Sequence, residues 1–259
     1  QDAGNATALT INPATLVVSG TKAYDGTTTF TASNLQASGG VNGETIQVTG
    51  GTGATSSVDA GIYANSPLSN LVISVNSGSA QASNYALPTS GTLTITQTNL
   101  SISAVGAKVY DGSATFTGTA ASGPFTTLTG FVSSDMGSTV TLTASTANAN
   151  TTNNYFSSIV SIINTSGQNV TGNYVLTSTS YNATTNAATI TPATLTVTGT
   201  KTYNGTNSFI NSNSNLSITG FVNNETMGTG VSYSATANSA NVLPGSNYFT
   251  GVNWTGGTG

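Results

Sequence analysis

Residues 11–26 read INPATLVVSGTKAYDG, and the pattern returns at 95–112 as ITQTNLSISAVGAKVYDG and at 190–205 as ITPATLTVTGTKTYNG. In each occurrence apolar residues alternate with Thr, Ser or Gly, and a tyrosine precedes Asp-Gly or Asn-Gly. Such alternation, rich in β-branched residues, is typical of half-buried strands. Because Asp-Gly and Asn-Gly accept the positive φ of tight turns, the segment predicts a strand followed by a turn. The predicted turn residues are Tyr24, Asp25, Gly26, Tyr110, Asp111, Gly112, Tyr203, Asn204 and Gly205.

Two further landmarks follow this segment in a fixed order. A loop that starts with glycine ends in an acidic residue at Glu44, Asp135 and Glu225. The pattern Asn-Tyr-x-Leu then appears at 84–87 and at 173–176, whereas the third occurrence has no such element. Turn residues recur every ~8 to 12 positions, as in sandwiches of short antiparallel strands.

These patterns predict an all-β fold of tandem Ig-like antiparallel β-sandwich repeats that form a rod. We expect an N-terminal strand at 1–13, a first repeat at 14–98, a second repeat at 99–193 and a third repeat at 194–259. The third repeat is expected to be incomplete, because the residues that would form its last strands are missing from the pattern.

The composition excludes most kinds of enzyme catalysis and metal binding. The chain has 3 Lys+Arg, 7 Asp+Glu, no His and no Cys, and its formal net charge is −4. Without histidine or cysteine there is no usual neutral-pH base, thiol nucleophile or thiolate metal site. So few lysine and arginine side chains provide no positively charged surface for the phosphates of a nucleic acid. No apolar run approaches the ~20 residues of a membrane span. We therefore expect a non-enzyme with no cofactor, no metal site, no nucleic-acid partner and no membrane insertion.

Taken together, the pattern I-T-P-A-x-L-x-V-x-G-x-K-x-Y-D-G, the loop acid and N-Y-x-L resemble the YDG and MBG repeats of bacterial surface adhesins and filamentous haemagglutinin-like exoproteins. The resemblance covers nearly the whole chain, although the third occurrence has Asn204 in place of aspartate. What it implies is a secreted, extracellular or cell-surface β-sandwich stalk without catalytic activity, of the kind found in adhesins and biofilms.

The two ends of the sequence predict a means of assembly. Residues 6–11 align with the closing strand at 187–190, so the first repeat is preceded by a strand that belongs to an absent neighbour. This strand, with Thr7, Leu9 and Ile11, is the candidate donor for an open groove in the third repeat of another molecule. The predicted groove residues are Leu195, Val197, Tyr248, Phe249 and Trp254. Alternatively, the sequence is a window of a longer adhesin, or the third repeat closes on itself.

Every repeat also has one lysine in its strand pattern and one acid in its loop. The candidate pairs are Lys22 with Glu44, Lys108 with Asp135 and Lys201 with Glu225. A buried lysine beside a carboxyl group can form an isopeptide crosslink, because desolvation lowers the lysine pKa. A plain salt bridge, or a lysine stem that covers the tyrosine ring, explains the same pattern.

The expected function is that of a structural subunit of a bacterial extracellular filament or adhesin stalk. Its partners would be copies of itself, which donor strands join head to tail into a homopolymer. The alternative is an adhesive binding module, cut from a longer secreted repeat adhesin, that holds a carbohydrate or another surface.

Overall fold

The structure, a computed structural model, describes residues 10–76, 81–102, 106–119, 121–126, 128–211, 215–228 and 230–255. These residues form an all-β fold, which confirms the prediction from the alternating pattern. Short 3₁₀ helices interrupt the strands at Ala32–Asn34, Val41–Gly43, Ala82–Asn84, Ser133–Asp135 and Thr171–Asn173. None of the helices in the described part is long and apolar enough to cross a membrane.

The first repeat forms a ladder of six strands in the order β3-β5-β6-β8-β2-β4, and β1 pairs separately with β7. Its largest buried side chains, among them Leu16, Val18, Phe30 and Leu93, come from the apolar positions of the alternating pattern. The strands are β1 (Ala14–Thr15), β2 (Val17–Ala23), β3 (Thr29–Thr31), β4 (Leu35–Ser38), β5 (Thr45–Ala54), β6 (Gly61–Asn76), β7 (Tyr85–Ala86) and β8 (Ser90–Thr96).

The strands of the second repeat form three small sheets, β11-β13-β14, β12-β9-β15 and β10-β16. Phe116 and Phe156 meet edge to face in its core, with ring centroids 5.1 Å apart. The strands are β9 (Thr98–Ile102), β10 (Gly106–Val109), β11 (Thr115–Thr119), β12 (Leu128–Thr129), β13 (Thr139–Ala144), β14 (Phe156–Ile163), β15 (Tyr174–Leu176) and β16 (Ala188–Thr191).

The third repeat contributes two sheets, β17-β19 and β18-β20-β21. Phe209 and Phe249 take the places of Phe116 and Phe156, again with centroids 5.1 Å apart. In its described residues no strand follows β21. The strands are β17 (Thr196–Thr200), β18 (Ser208–Ile210), β19 (Asn215–Thr219), β20 (Ser232–Ala237) and β21 (Phe249–Thr255).

The pairing differs from the expected all-antiparallel pattern in one respect. The opening strands of the first two repeats pair in parallel with later strands: β1 with β7, β2 with β8, and β9 with β15. Because β2 and β8 run in the same direction, the chain leaves the first repeat at the end opposite to its entry. It then passes from β8 to β9 across a single residue, Gln97.

The chain divides into two compact units. The first contains the described residues of 1–106, 115–145 and 153–188, and the second contains those of 107–114, 146–152 and 189–259. Tyr24, Asp135 and Tyr174 belong to the first unit, and Tyr110 and Glu225 belong to the second.

Candidate functional site

The turn after the first strand pattern is held by the lysine of its own repeat. The buried Lys22 Nζ donates to Asp25 Oδ1 at 2.8 Å and to the backbone oxygens of Thr27 and Thr29, each at 2.9 Å. Burial disfavours the charged form of Asp25, but the hydrogen bonds from Lys22 and Thr27 outweigh burial and lower the pKa of this carboxyl group. The charged and hydrogen-bonding groups of the turn therefore find their partners within the repeat itself.

The other two repeats build this turn in the same way. Lys108 Nζ donates to Asp111 Oδ1 at 2.7 Å, and Lys201 Nζ donates to Asn204 Oδ1 at 3.0 Å. The glycines of the three turns have φ values of 77°, 75° and 73° at Gly26, Gly112 and Gly205. These are left-handed conformations, which glycine adopts without a steric penalty.

The structure does not bring the predicted lysine–acid pairs of the first and third repeats together. Lys22 lies within β2 and Lys201 lies one residue after β17, and each binds the turn residue three positions further along the chain, which it reaches locally. Asp111 likewise engages Lys108. The loop acids accept hydrogen bonds from tyrosine hydroxyls: Glu44 from Tyr85, Asp135 from Tyr24 and Tyr174, and Glu225 from Tyr110.

Asp135 connects the first repeat to the second. It is only 1% exposed, and its Oδ2 accepts hydrogen bonds from Tyr24 Oη at 2.9 Å and from Tyr174 Oη at 2.7 Å. Tyr24 belongs to the turn of the first repeat, whereas Asp135 and Tyr174 belong to the second. Burial and the hydrogen bond to Asp135 raise the pKa of Tyr24 to about 12, and the same two causes raise the pKa of Tyr174.

Other polar contacts support this connection. Asn173 Oδ1 accepts a hydrogen bond from the Ala60 amide at 2.7 Å, and Asn173 Nδ2 donates to Asp59 Oδ1 at 3.0 Å. A Cβ atom placed on Gly26 would lie 2.6 Å from Ser134 Oγ. Glycine at this turn therefore provides both the positive φ and the close approach of the next repeat.

A second connection of the same design joins the second repeat to the third. Tyr110 Oη donates to Glu225 Oε1 at 2.5 Å, and this hydrogen bond raises the pKa of Tyr110. Asn223 Nδ2 donates to the backbone oxygen of Asp111 at 2.8 Å, and a Cβ on Gly112 would lie 2.0 Å from Asn223 Nδ2. We name this arrangement, in which the turn tyrosine of one repeat binds the loop acid of the next, the tyrosine–acid joint.

The predicted groove of the third repeat is bordered by two strand edges that have no partner strand in the described residues. β17 pairs with β19 alone, and β21 pairs with β20 alone. Leu195 and Val197 are half-buried, whereas their counterparts in the first repeat, Leu16 and Val18, are fully buried. Among the described residues, the apolar face at β17 is therefore less well covered than the matching face of the first repeat.

The aromatic groove residues lie in two different settings. Phe249 is half-buried between the two sheets, and a Cβ on Gly199 would lie 3.0 Å from its Cζ. Tyr248 and Trp254 are exposed. Phe249 thus contributes to the core, while the other two rings are available at the surface.

Of the predicted donor-strand residues, Thr7 and Leu9 lie outside the described residues. Ile11 is described, and it is 86% exposed. An isoleucine in this setting contributes almost nothing to the core of its own chain.

The comparisons with known proteins concern the first repeat. The family model of the YDG domain matches residues 5–93, which supports a YDG-type domain there. No curated protein and no solved structure matches the chain.

Proposed function

We propose that the chain is a structural subunit of an extracellular bacterial filament or adhesin stalk, built from tandem Ig-like sandwich repeats and without catalytic activity. Donor-strand complementation would join its subunits head to tail. The observation that carries the proposal is that β17 and β21 each have one edge without a partner strand in the part of the chain that the structure describes. In the first repeat the corresponding edges, on β2 and β6, are both occupied by β8.

The first repeat supplies the template for the missing contact. β8 pairs in parallel with β2, with Leu93 opposite Gly20 and Ile95 opposite Lys22, and it pairs antiparallel with β6. In the third repeat Gly199 and Lys201 stand where Gly20 and Lys22 stand in the first. A donor would therefore run parallel to β17 and antiparallel to β21, and would satisfy backbone groups on both edges.

The strand at the start of the sequence has the side chains for this position. Leu9-Thr10-Ile11 repeats the residues Leu93-Thr94-Ile95 of β8. Leu93 is 0% exposed and Ile95 is 2% exposed. Burial of a leucine or isoleucine stabilises by roughly 1.5–3 kcal/mol, so transfer of Leu9 and Ile11 into a neighbour's groove would favour association.

The sizes of facing core residues agree with a leucine in this position. Gly53 lies opposite Phe30 in the first repeat, and a Cβ placed on Gly53 would approach Leu93 Cδ1 to 2.9 Å. In the second repeat the large and small side chains are exchanged: Leu142 stands at the position of Gly53, and Ala188 stands at the position of Leu93.

The third repeat resembles the first, because a small residue, Ala235, again lies opposite its phenylalanine. Its core therefore favours a large donor side chain such as Leu9.

The test is an assembly assay on the full chain with the double substitution Leu9→Asn and Ile11→Asn. We expect the concentration needed for filaments to rise about a hundredfold or more, because two buried apolar side chains are lost. Thr10→Asn is the matched control, since position 10 points away from the groove in the alternating pattern. Filament length by electron microscopy and mass by sedimentation report the outcome. The proposal fails if the double variant assembles as well as the unchanged chain.

The alternative of an adhesive binding module is favoured by the exposed indole of Trp254. Exposed apolar surface often marks an interaction site, and the face of an aromatic ring offers a sugar or another surface a flat apolar contact. Retention of the chain on immobilised glycans, and its loss on Trp254→Ala, would support adhesion.

A further inference from the structure

Two halves of a tyrosine–acid joint remain unused in the described residues. The turn of the third repeat carries Tyr203, Asn204 and Gly205, and Tyr203 binds none of the loop acids within the described residues. The loop of the first repeat, residues 40–44, ends in Glu44, which accepts a hydrogen bond from Tyr85 but from no turn tyrosine among the described residues. Each half matches one that is engaged elsewhere in the chain.

The unused turn is already formed. Lys201 holds Asn204 as Lys22 holds Asp25, and Gly205 has the same positive φ as the other turn glycines. Tyr203 is 61% exposed. A Cβ on Gly205 would meet nothing within 4 Å, in contrast to the close approaches at the two engaged turns.

The unused loop is also formed. The Glu44 amide donates to the Val41 oxygen at 3.0 Å, as the Glu225 amide donates to the Val222 oxygen at 2.8 Å. Asn42 has a φ of 50° and its counterpart Asn223 has a φ of 49°. The backbone that presents Asn223 to an incoming turn is therefore reproduced at Asn42.

The acid of this loop has room for a second donor. Glu44 accepts a hydrogen bond from Tyr85 of its own repeat, as Asp135 does from Tyr174. Asp135 binds, in addition, the turn tyrosine of the preceding repeat. A carboxyl group offers about four acceptor sites, so the one engaged by Tyr85 leaves Glu44 able to accept another hydroxyl.

We propose that Tyr203 of one molecule donates a hydrogen bond to the Glu44 carboxyl group of a second molecule of this chain. In the same contact, the Asn42 side-chain amide of the second molecule donates to the backbone oxygen of Asn204 of the first, as Asn223 donates to that of Asp111. The inference rests on the proposed function, because the donor strand would align the two halves. Within the chain, β8 closes the first repeat and leads directly into the repeat that carries Asp135. Residues 9–11 lead in the same way into the repeat that carries Glu44. Insertion of the donor strand would thus rebuild the internal joint between molecules.

Chemical footprinting of the full chain tests this contact directly. Filaments and the dispersed Leu9→Asn/Ile11→Asn variant are treated with a tyrosine-nitrating reagent, and modified residues are identified by mass spectrometry. We expect loss of nitration at Tyr203 in filaments, while Tyr181, which is exposed in the second repeat, stays reactive in both. Filaments in which Tyr203 remains fully reactive would overturn the joint and leave the donor strand standing. A chain that never assembles would overturn both.

Two single variants and their combination supply an independent measurement. Tyr203→Phe and Glu44→Gln should each raise the concentration needed for assembly about tenfold, as expected for loss of a hydrogen bond to a charged acceptor. The double variant should lose little more than either single variant, because both remove the same contact. Tyr181→Phe should have no effect. The joint is refuted if Tyr203→Phe behaves like Tyr181→Phe, or if the two losses simply add.

Discussion

At the residue scale, the connection between the first two repeats depends on one carboxyl group shared by two tyrosine hydroxyls. Tyr24 and Tyr174 both bind Asp135 Oδ2, and their rings meet edge to face with centroids 5.6 Å apart. Loss of a proton from either tyrosine would place two negative charges within hydrogen-bonding distance. Burial opposes this loss as well, so both tyrosine pKa values are raised.

These shifts predict a loss of stability at alkaline pH. Unfolded tyrosines lose their protons near pH 10, whereas folded Tyr24 retains its proton until about pH 12. Between these values the folded state binds more protons than the unfolded state, so the free energy of unfolding falls as pH rises. Urea unfolding at successive pH values should show this contribution intact below pH 10 and lost as pH passes 12. Tyr24→Phe should make the free energy of unfolding fall less steeply with pH, whereas Tyr181→Phe should leave this dependence unchanged. Equal slopes for the two variants would contradict the assignment.

At the element scale, the same turn occurs at Gly112, where it contacts the loop of the next repeat, and at Gly205, where no such contact is described. The two glycines can therefore be compared directly. Gly112 and Gly205 have φ values of 75° and 73°, so replacement by alanine strains the backbone equally. Only at Gly112 would the new methyl group meet Asn223 and displace its hydrogen bond to Asp111.

We therefore expect Gly205→Ala to destabilise the dispersed chain by about 1 kcal/mol and Gly112→Ala by about 1 kcal/mol more. Urea midpoints measured on the Leu9→Asn/Ile11→Asn background give both values without interference from assembly. If the two alanine variants are equally stable, the contact at Gly112 contributes nothing to the joint.

The elements also show what the sequence can and cannot predict. The alternation around Val18 and the Asp25-Gly26 pair predict strand and turn, because local periodicity and backbone preference determine both. The pairing of Lys22 with Glu44 was wrong, since the choice between Asp25 and Glu44 depends on where the loop lies in space. The joints link residues 111 and 115 positions apart. The only sequence signal for them is that the turn tyrosine and the loop acid recur together in every repeat.

At the scale of the whole molecule, the three repeats differ in how fully their cores are covered. Phe30 and Phe116 are fully buried, whereas Phe209 is only half-buried. Small residues such as Ala235 and Ala237 make up much of what is fully buried in the third repeat. A core that buries less apolar surface is stabilised less, so the third repeat should be the first part of a dispersed chain to open.

Hydrogen exchange should reveal this difference and its removal on assembly. In the dispersed Leu9→Asn/Ile11→Asn variant we expect rapid exchange of the β17 and β21 amides, because each strand has one edge unpaired in the described residues. In filaments of the unchanged chain the same amides should be protected about a hundredfold more strongly, since a donor strand would pair both edges and cover Val197. Peptides from β5 and β6 serve as the internal control, because both strands are already paired on their two sides. Equal exchange of β17 in filaments and in the dispersed variant would mean that the groove stays empty on assembly.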